Sequence, residues 1–152
     1  MPRPDLSMSS SEIESFLQQP HIAVLSTIDR AGWPHSVGMY YQPFGIELRM
    51  WPYGKSQKVK NLERDPRCAV LVEKGQPYED LKGVLIRGRA EIVRDLDAVF
   101  ELGREIYERY WFPRNGIPFE DGPDEGIRAQ SRKRVSVLIK PERVASWDHA
   151  KA

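Results

Sequence analysis

The sequence has 152 residues, 40% of them hydrophobic, and a formal net charge of +1. This length suits a single domain, residues 1–152, with an ordinary hydrophobic core, and the near-neutral charge gives no overall field that would draw the protein to nucleic acid or to a membrane. The single cysteine, Cys68, excludes an internal disulfide, and the lack of a signal-peptide-like or membrane-spanning apolar run leads us to expect a soluble cytoplasmic protein.

A short helix is predicted first. Ser9 with Glu12, like Ser11 with Glu14, has the spacing of a capping box, and Pro20 is expected to end the helix. The apolar positions follow the i, i+3, i+4 spacing of one helical face, which would pack on the body of the protein: Ile13, Phe16 and Leu17.

Strands are predicted next. The apolar and β-branched segment His21–Asp29 and the segment Pro34–Phe44 flank a turn centred on Gly32, which favours a β-hairpin. Gly45–Trp51 alternates apolar and other residues and is predicted as a third strand. A short helix should then begin at Ser56.

The second half continues with two strands and a longer helix. The strands are Arg67–Gly75 and Gly83–Asp95, with Gly88 as the expected site of a bulge. Asp95 is a suitable N-cap for the helix, whose apolar spacing is carried by Val99, Leu102, Ile106 and Tyr110.

The rest of the chain is predicted as a loop and a strand. Pro113–Gly126 is rich in proline and glycine, lacks periodicity and is predicted to be a long irregular loop. Arg134–Lys140 is the last strand, and the following tail could form another. Six or seven strands at hairpin spacing favour a mostly β (α+β) fold, an antiparallel and nearly closed barrel capped by short helices.

The segment KSQK, Lys55–Lys58, places cations where the third strand gives way to a helix. Unpaired amides and the helix dipole make such an N-terminus an anion site, whereas lysines there are otherwise unfavourable by roughly 0.3–1 kcal/mol each. Lys55 and Lys58 can close on one anion, and Ser56 can cap the helix or bind a phosphate oxygen. The pattern predicts a bound anion such as a phosphate; a solvated basic helix is the alternative.

The sequence contains few motifs for metal binding or nucleophilic catalysis. The three histidines are scattered, which predicts no metal site, and no nucleophile motif is present. His35 could donate to a cofactor or substrate, or be an ordinary strand residue. Several aromatic residues could cover an apolar substrate pocket, although Tyr107 and Tyr110 suit a core equally well: Trp33, Tyr40, Tyr107, Tyr110, Trp111 and Phe112.

Three segments together resemble a known family: STIDRAGWPHSVGMYY, KSQKVKNLERDPRCAVLVE and LIRGRAEIV. In this order they are similar to the pyridoxamine 5′-phosphate oxidase-like split β-barrel superfamily, from about Ser9 to the C-terminus. The pattern KSQK…NL.RDPR with a terminal SWDH.K is similar to its coenzyme F420 (deazaflavin)-dependent oxidoreductase branch.

The resemblance implies an FMN-binding split-barrel fold of six to seven strands and a homodimer with cofactor sites at the subunit interface. It also implies that Lys55, Ser56 and Lys58 contact the cofactor phosphate. The ring and ribityl wall would come from the neighbouring strands: Ser36, Val37, Gly38, Met39, Met50, Trp51 and Pro52. Trp147 would lie at a subunit boundary, or simply close the barrel as an aromatic plug.

The activity implied is hydride transfer between coenzyme F420 and a small organic substrate. An FMN-binding flavoprotein with the same barrel is the first alternative, and a non-catalytic cofactor or tetrapyrrole carrier is the second. The phosphate and C-terminal arginine motifs of true pyridoxamine phosphate oxidases are not recognisable here, so pyridoxal phosphate synthesis is not predicted. The closeness of Lys55, Lys58 and Lys60 favours the longer, acidic tail of F420 over FMN.

Overall fold

The computed structural model describes residues 1–111 and 124–152. Its sheet has seven antiparallel strands: β1 Ala23–Ile28, β2 Pro34–Met39, β3 Gln42–Phe44, β4 Glu47–Met50, β5 Arg67–Lys74, β6 Lys82–Val93 and β7 Ser136–Asp148. The described α-helices are α1 Ser10–Gln18, α2 Gln57–Arg64, α3 Leu96–Tyr110 and α4 Asp124–Ser131. Single 3₁₀ turns occupy Tyr78–Asp80 and His149–Lys151. The mostly β split-barrel prediction is confirmed.

The order of strands across the sheet is β2-β1-β5-β6-β7-β4-β3. β2 and β3 therefore lie at opposite edges although only Tyr40 and Tyr41 connect them. So short a link requires the two edges to come close together, which curls the sheet into a barrel with a split between β2 and β3.

The predicted single strand Pro34–Phe44 is wrong, because the chain turns between β2 and β3. Tyr41 is fully buried at this turn, and its hydroxyl donates to the carbonyls of Leu17 and Gln19 at the end of α1, at 2.9 and 3.2 Å. Burial of this phenol draws the chain inward and ends the hairpin. Alternation of side chains alone does not reveal such a change of sheet edge.

β6 and β7 form the longest pairing, and its register shifts between Arg87 and Gly88. The bulge predicted at Gly88 is confirmed; a Cβ there would overlap the Lys140 carbonyl. Pro141 lies opposite Gly88, and a bulge tolerates proline because the ladder there needs no N–H. The predicted end of the last strand at Lys140 is therefore wrong, and β7 continues to Asp148.

Two hydrophobic clusters hold the elements together. The barrel interior is filled by the inward residues of the strands and closed by α1 and α2; fully buried members include Leu17, Leu25, Val59, Val70, Ile86 and Ile139. The second cluster packs α3 and α4 on Trp51 through Val99, Leu102, Ile106 and Ile127. Because Ile127 is buried, α4 is a packed helix, so the loop predicted over Pro113–Gly126 is wrong for residues 124–126. Its residues 113–123 lie outside the described part of the chain.

The helix starts at α1 and α3 are capped by the predicted residues. The side-chain oxygens of Ser9 and Asp95 accept from the backbone amides of Glu12 and Ala98 at 3.2 and 3.0 Å. Both predictions are confirmed, and each cap satisfies an amide that the helix itself cannot pair.

Candidate functional site

The N-terminus of α2 lacks the side-chain cap found at α1 and α3. Ser56 occupies the N-cap position with an extended backbone, but its side chain makes no capping hydrogen bond. Its hydroxyl instead donates to the Tyr53 carbonyl at 2.7 Å. The first amides of α2 therefore receive no oxygen from Ser56 and remain available to an acceptor from outside the helix.

The first turn of α2 also differs in charge from the first turns of the other described α-helices. Each of the other described α-helices has an acidic residue in its first turn, Glu12 in α1, Asp97 in α3 and Asp124 in α4. α2 has none and carries Lys58 there. Since a cation opposes the helix dipole at this end, Lys58 is locally unfavourable unless negative charge lies nearby.

Lys58 lies beside a second cation, Arg134. Burial lowers the pKa of the Lys58 ammonium, and the positive charge of Arg134 lowers it further. Neither side chain has an acidic partner within ion-pair distance in the described residues. Two partly buried cations without a counter-ion repel each other, and an anion bound between them would relieve that repulsion.

Arg134 is held rigidly. Its guanidinium carbon lies 4.3 Å from the ring centre of Trp51 and 4.0 Å from that of Tyr53. Nη1 donates to the Trp51 carbonyl at 2.7 Å, while Nε and Nη2 donate to Gln130 Oε1 at 3.2 and 3.1 Å. This fixed, planar group suits the recognition of an oxyanion.

Backbone pairing brings Arg134 to α2. Tyr53 forms an isolated antiparallel bridge with Arg134, and the Gly54 amide donates to the Lys133 carbonyl at 2.9 Å. The segment that leads from β4 into α2 therefore runs beside the segment that leads from α4 into β7. Tyr53 and Arg134 meet here because their segments adjoin β4 and β7, which are neighbours in the sheet.

A cavity of about 500 Å³ adjoins this cationic site, and Arg134 is the one charged residue among the described residues that line it. The lining is otherwise apolar, aromatic or glycine: Ile22, Gly38, Met39, Tyr40, Trp51, Ile106, Tyr107, Tyr110 and Trp111. The volume and the chemistry suit a flat organic molecule with its anionic end at Arg134.

The last turns of α3 supply the aromatic wall of the cavity. The rings of Tyr40 and Tyr110 pack at a tilt of 31° with centres 4.4 Å apart, and the Tyr110 hydroxyl donates to the His21 carbonyl at 2.6 Å. Arg109 binds three successive carbonyls at the end of α1, those of Leu17, Gln18 and Gln19, at 2.7–2.9 Å. These bonds fix the end of α3 against α1 and so set the position of the wall.

The structure brings part of the predicted ring wall to this cavity. Gly38, Met39 and Trp51 line it. Met50 is fully buried in the barrel core, so its side chain is not available to a ligand there. Pro52 is buried, and its carbonyl accepts from the Val135 amide at 3.1 Å.

The other predicted residues lie outside the cavity lining. Ser36 faces outward and its hydroxyl lies 2.8 Å from that of Ser26. Val37 pairs with Leu25 on β1 and is half-buried. Lys55 is exposed at the approach to α2. These positions remain predictions as cofactor contacts.

Among the aromatic and histidine candidates, Tyr40, Tyr107, Tyr110 and Trp111 line the cavity, whereas His35 and Trp33 do not. Trp147 packs over Gly83, and its indole N–H donates to Glu73 at 3.0 Å. Phe112 lies outside the described residues. Within those residues no cluster of His, Cys, Asp or Glu is arranged to hold a metal ion, and no helix is long and apolar enough to cross a bilayer.

Arg134 is the site residue that sequence reasoning missed. Its only local signal is an arginine directly before the buried residues Val135, Ser136 and Val137, and nothing in that context indicates a meeting with Lys58. The residues on α3 were recognised as aromatic, but their shared orientation toward one cavity follows from the docking of α3 against α1.

Comparison with protein families gives a match over nearly the whole chain. The family model described as pyridoxamine 5′-phosphate oxidase matches residues 9–148. The chain belongs to this family. Membership of the pyridoxamine 5′-phosphate oxidase family agrees with the split barrel and with the resemblance noted in the sequence.

Individual proteins are also similar to this chain. An F420H(2)-dependent biliverdin reductase of Mycobacterium tuberculosis is 31% identical over 107 residues, which cover 69% of this chain and 74% of the relative. The crystal structure of the conserved hypothetical protein Rv2991 of Mycobacterium tuberculosis has a TM-score of 0.88 and 37% identity, covering 99% of this chain and 91% of that one. A solved F420 reductase has a TM-score of 0.66 and 28% identity, covering 86% and 94%.

Proposed function

We propose that the protein is a coenzyme F420-dependent oxidoreductase that transfers hydride to or from a small organic substrate. The observation that carries this proposal is the basic, uncapped N-terminus of α2, where Lys58 and Arg134 have no counter-ion among the described residues and lie beside an aromatic cavity. The similarity to two proteins named for F420 chemistry supports the choice of cofactor.

The residues present fit the two ends of such a cofactor. The amides of the first turn of α2, Lys58 and Arg134 would hold the phosphate, with Lys55 contributing at the exposed side. Gly38 would allow a flat ring to approach the backbone, because a Cβ at this position would already lie 3.3 Å from Ile22 Cγ2. Met39 and Trp51 would form the adjoining apolar contacts.

When bound, F420 would supply the hydride chemistry, and the chain's role is to bind, orient and exclude water. The aromatic wall would shield one side of the bound ring from water. The Tyr110 hydroxyl is committed to the His21 carbonyl, and burial raises its pKa, so it stays protonated. We therefore assign no side chain as a proton donor.

A homodimer with cofactor sites at the subunit interface also belongs to this proposal. The outer face of the sheet has a row of small and apolar residues that are neighbours across five strands: Gly38, Val24, Leu71, Leu85 and Ala145. Val24 is 36% exposed. An apolar face of this kind suits a second copy of the chain, and sedimentation equilibrium measures whether the mass is that of two chains.

FMN is the second candidate cofactor, because the same cationic site would hold its phosphate. The two cofactors differ in what lies beyond that phosphate. The acidic tail of F420 needs further cations, and Lys60 is an exposed one on α2. Within this proposal, Lys60 favours F420.

Titration of the purified protein with F420 and with FMN, followed by cofactor fluorescence, tests the assignment. We expect saturable binding of F420, tighter than that of FMN, with an affinity that falls as salt rises because the contacts are ionic. Preference for FMN would overturn the choice of cofactor. If neither cofactor bound, the proposed function would be wrong.

Replacement of Arg134 tests the second cation. Arg134→Met keeps the aliphatic stem but removes the charge and the donors, so we expect F420 affinity to fall about 10- to 100-fold, the range of a lost charge-assisted hydrogen bond. Isothermal titration below the melting temperature measures it. Arg132→Met, which removes an exposed neighbouring charge, should have little effect. Equal affinities in both variants would exclude Arg134 from the site.

A further inference from the structure

A buried chain of polar side chains lies beneath α2, apart from the cationic site. Asn61 on α2 is 0% exposed and Thr27 on β1 is 1% exposed. The Asn61 amide Nδ2 donates to Thr27 Oγ1 at 3.0 Å. The sequence motif around KSQK…NL contains Asn61, yet nothing in the proposed cofactor contacts uses this side chain.

The polar chain spans the whole length of α2. The amide oxygen of Asn61 accepts from Gln57 Nε2 at 2.8 Å and from Arg64 Nη2 at 3.3 Å. Arg64 Nη2 also donates to the Ile28 carbonyl at 2.6 Å. The first, middle and last turns of α2 are therefore joined to each other and to the end of β1.

Apolar contacts alone would not fix the position of α2 on the barrel so closely. Val59 and Leu62 already bury α2 against the barrel, but contacts of this type tolerate small translations and rotations of a helix. Hydrogen bonds are directional, and a buried amide left without partners is costly. The Thr27–Asn61 bond therefore fixes where α2 stands along β1.

We propose that Asn61 and Thr27 are positioning residues for the anion site. By fixing α2 on β1, they hold the first-turn amides and Lys58 in register with Arg134, which belongs to the other side of the site. This inference rests on the proposed function, because it assigns a role in cofactor binding to two residues that do not touch the cofactor.

Thr27→Val and Thr27→Ser form a matched pair. Valine keeps the shape of threonine and removes the acceptor, whereas serine keeps the acceptor and removes a methyl group. We expect Thr27→Val to weaken F420 binding about 5- to 10-fold, and Thr27→Ser to retain nearly the wild-type affinity even if its melting temperature falls. A structural role alone would make affinity follow stability in both variants.

Amide hydrogen exchange of the ligand-free protein gives a readout that does not depend on F420. Thr27→Val should increase exchange of the hydrogen-bonded amides Lys60–Asp65 more than in the β5–β6 pairing, which measures a local loosening of α2. Unchanged exchange in α2 would overturn the inference. Wild-type F420 affinity in Thr27→Val would overturn it as well.

A thermodynamic cycle with Lys58→Met completes the test. If Asn61 acts through Lys58, Asn61→Leu should weaken F420 binding less in the Lys58→Met background than in the wild type. Fully additive losses would overturn the part of the inference that has these residues position Lys58. Absence of F420 binding by the wild type would instead contradict the proposed function, and the exchange measurement would still decide whether Thr27 and Asn61 position α2.

Discussion

Lys58→Glu is expected to weaken F420 binding by at least about 100-fold while leaving the fold intact. The substitution removes a charge-assisted contact to the phosphate and puts a like charge in its place, and the two effects together exceed about 3 kcal/mol. The fold should persist because a glutamate in the first turn of a helix is favoured by the dipole. It would also lie beside Arg134, which has no acidic partner in the described residues.

The measurement is a fluorescence titration of F420 together with a thermal melt. Lys74→Glu makes the same change of net charge at an exposed position at the end of β5, and its affinity should stay close to wild type. Wild-type affinity in Lys58→Glu would remove the α2 N-terminus from the proposed site.

Removal of the Lys58 charge should stabilise the ligand-free protein, although it weakens cofactor binding. The pKa of Lys58 in the folded protein lies below its ordinary value of 10.5, first because of burial and second because of Arg134. Since folding disfavours the charged form, the charge on Lys58 costs stability at all pH values below the folded pKa, and this cost disappears as pH rises toward the ordinary value. Lys58→Met should therefore raise the melting temperature at neutral pH while it weakens cofactor binding.

Gly103→Ala is expected to lower the stability of the protein by about 1–3 kcal/mol, the usual cost of an overpacked core. A Cβ at this position of α3 would lie 2.5 Å from Trp51 Cζ2 and 2.9 Å from Ile127 Cγ2. Trp51 cannot easily move aside, because its indole N–H donates to the Val99 carbonyl at 2.9 Å and its ring stacks on Arg134. The added methyl group should therefore push α3 away from Trp51 and deform the cavity.

A thermal melt should show a decrease of roughly 2–4 °C for each kcal/mol, accompanied by weaker F420 binding. Gly126→Ala, at an exposed position of α4, is the matched control and should be neutral or slightly stabilising, because alanine favours helices more than glycine does. Wild-type stability and affinity in Gly103→Ala would show that this packing does not constrain the cavity.

The features predicted correctly from the sequence are those that local chemistry determines. The caps at Ser9 and Asp95 depend on residues within one turn, and the bulge at Gly88 depends on one residue without a side chain. The expectation of six or seven strands agrees with the seven observed, although their boundaries differ, because Pro34–Phe44 divides into β2 and β3 and β7 continues past Lys140. The split between β2 and β3 was missed because it depends on Tyr41 reaching the carbonyls of α1, which no local pattern encodes.

The same distinction applies to the candidate site. The unusual charge at the start of α2 was evident because Lys55 and Lys58 lie close together in the sequence. The role of Arg134 was not evident from the sequence, because its approach to Lys58 depends on pairing between the segment before α2 and the segment before β7. The cavity likewise required the packing of α3 on α1, since Tyr107 and Tyr110 have the spacing of ordinary core residues.

Arg109 couples the stability of α1 to that of α3. α1 has no basic residue in its own last turn, and the cation that compensates its C-terminal carbonyls comes from α3. Fraying of α1 would release the Arg109 guanidinium and loosen the aromatic residues around the cavity. The first eighteen residues therefore influence the shape of the cavity, although none of them lines it.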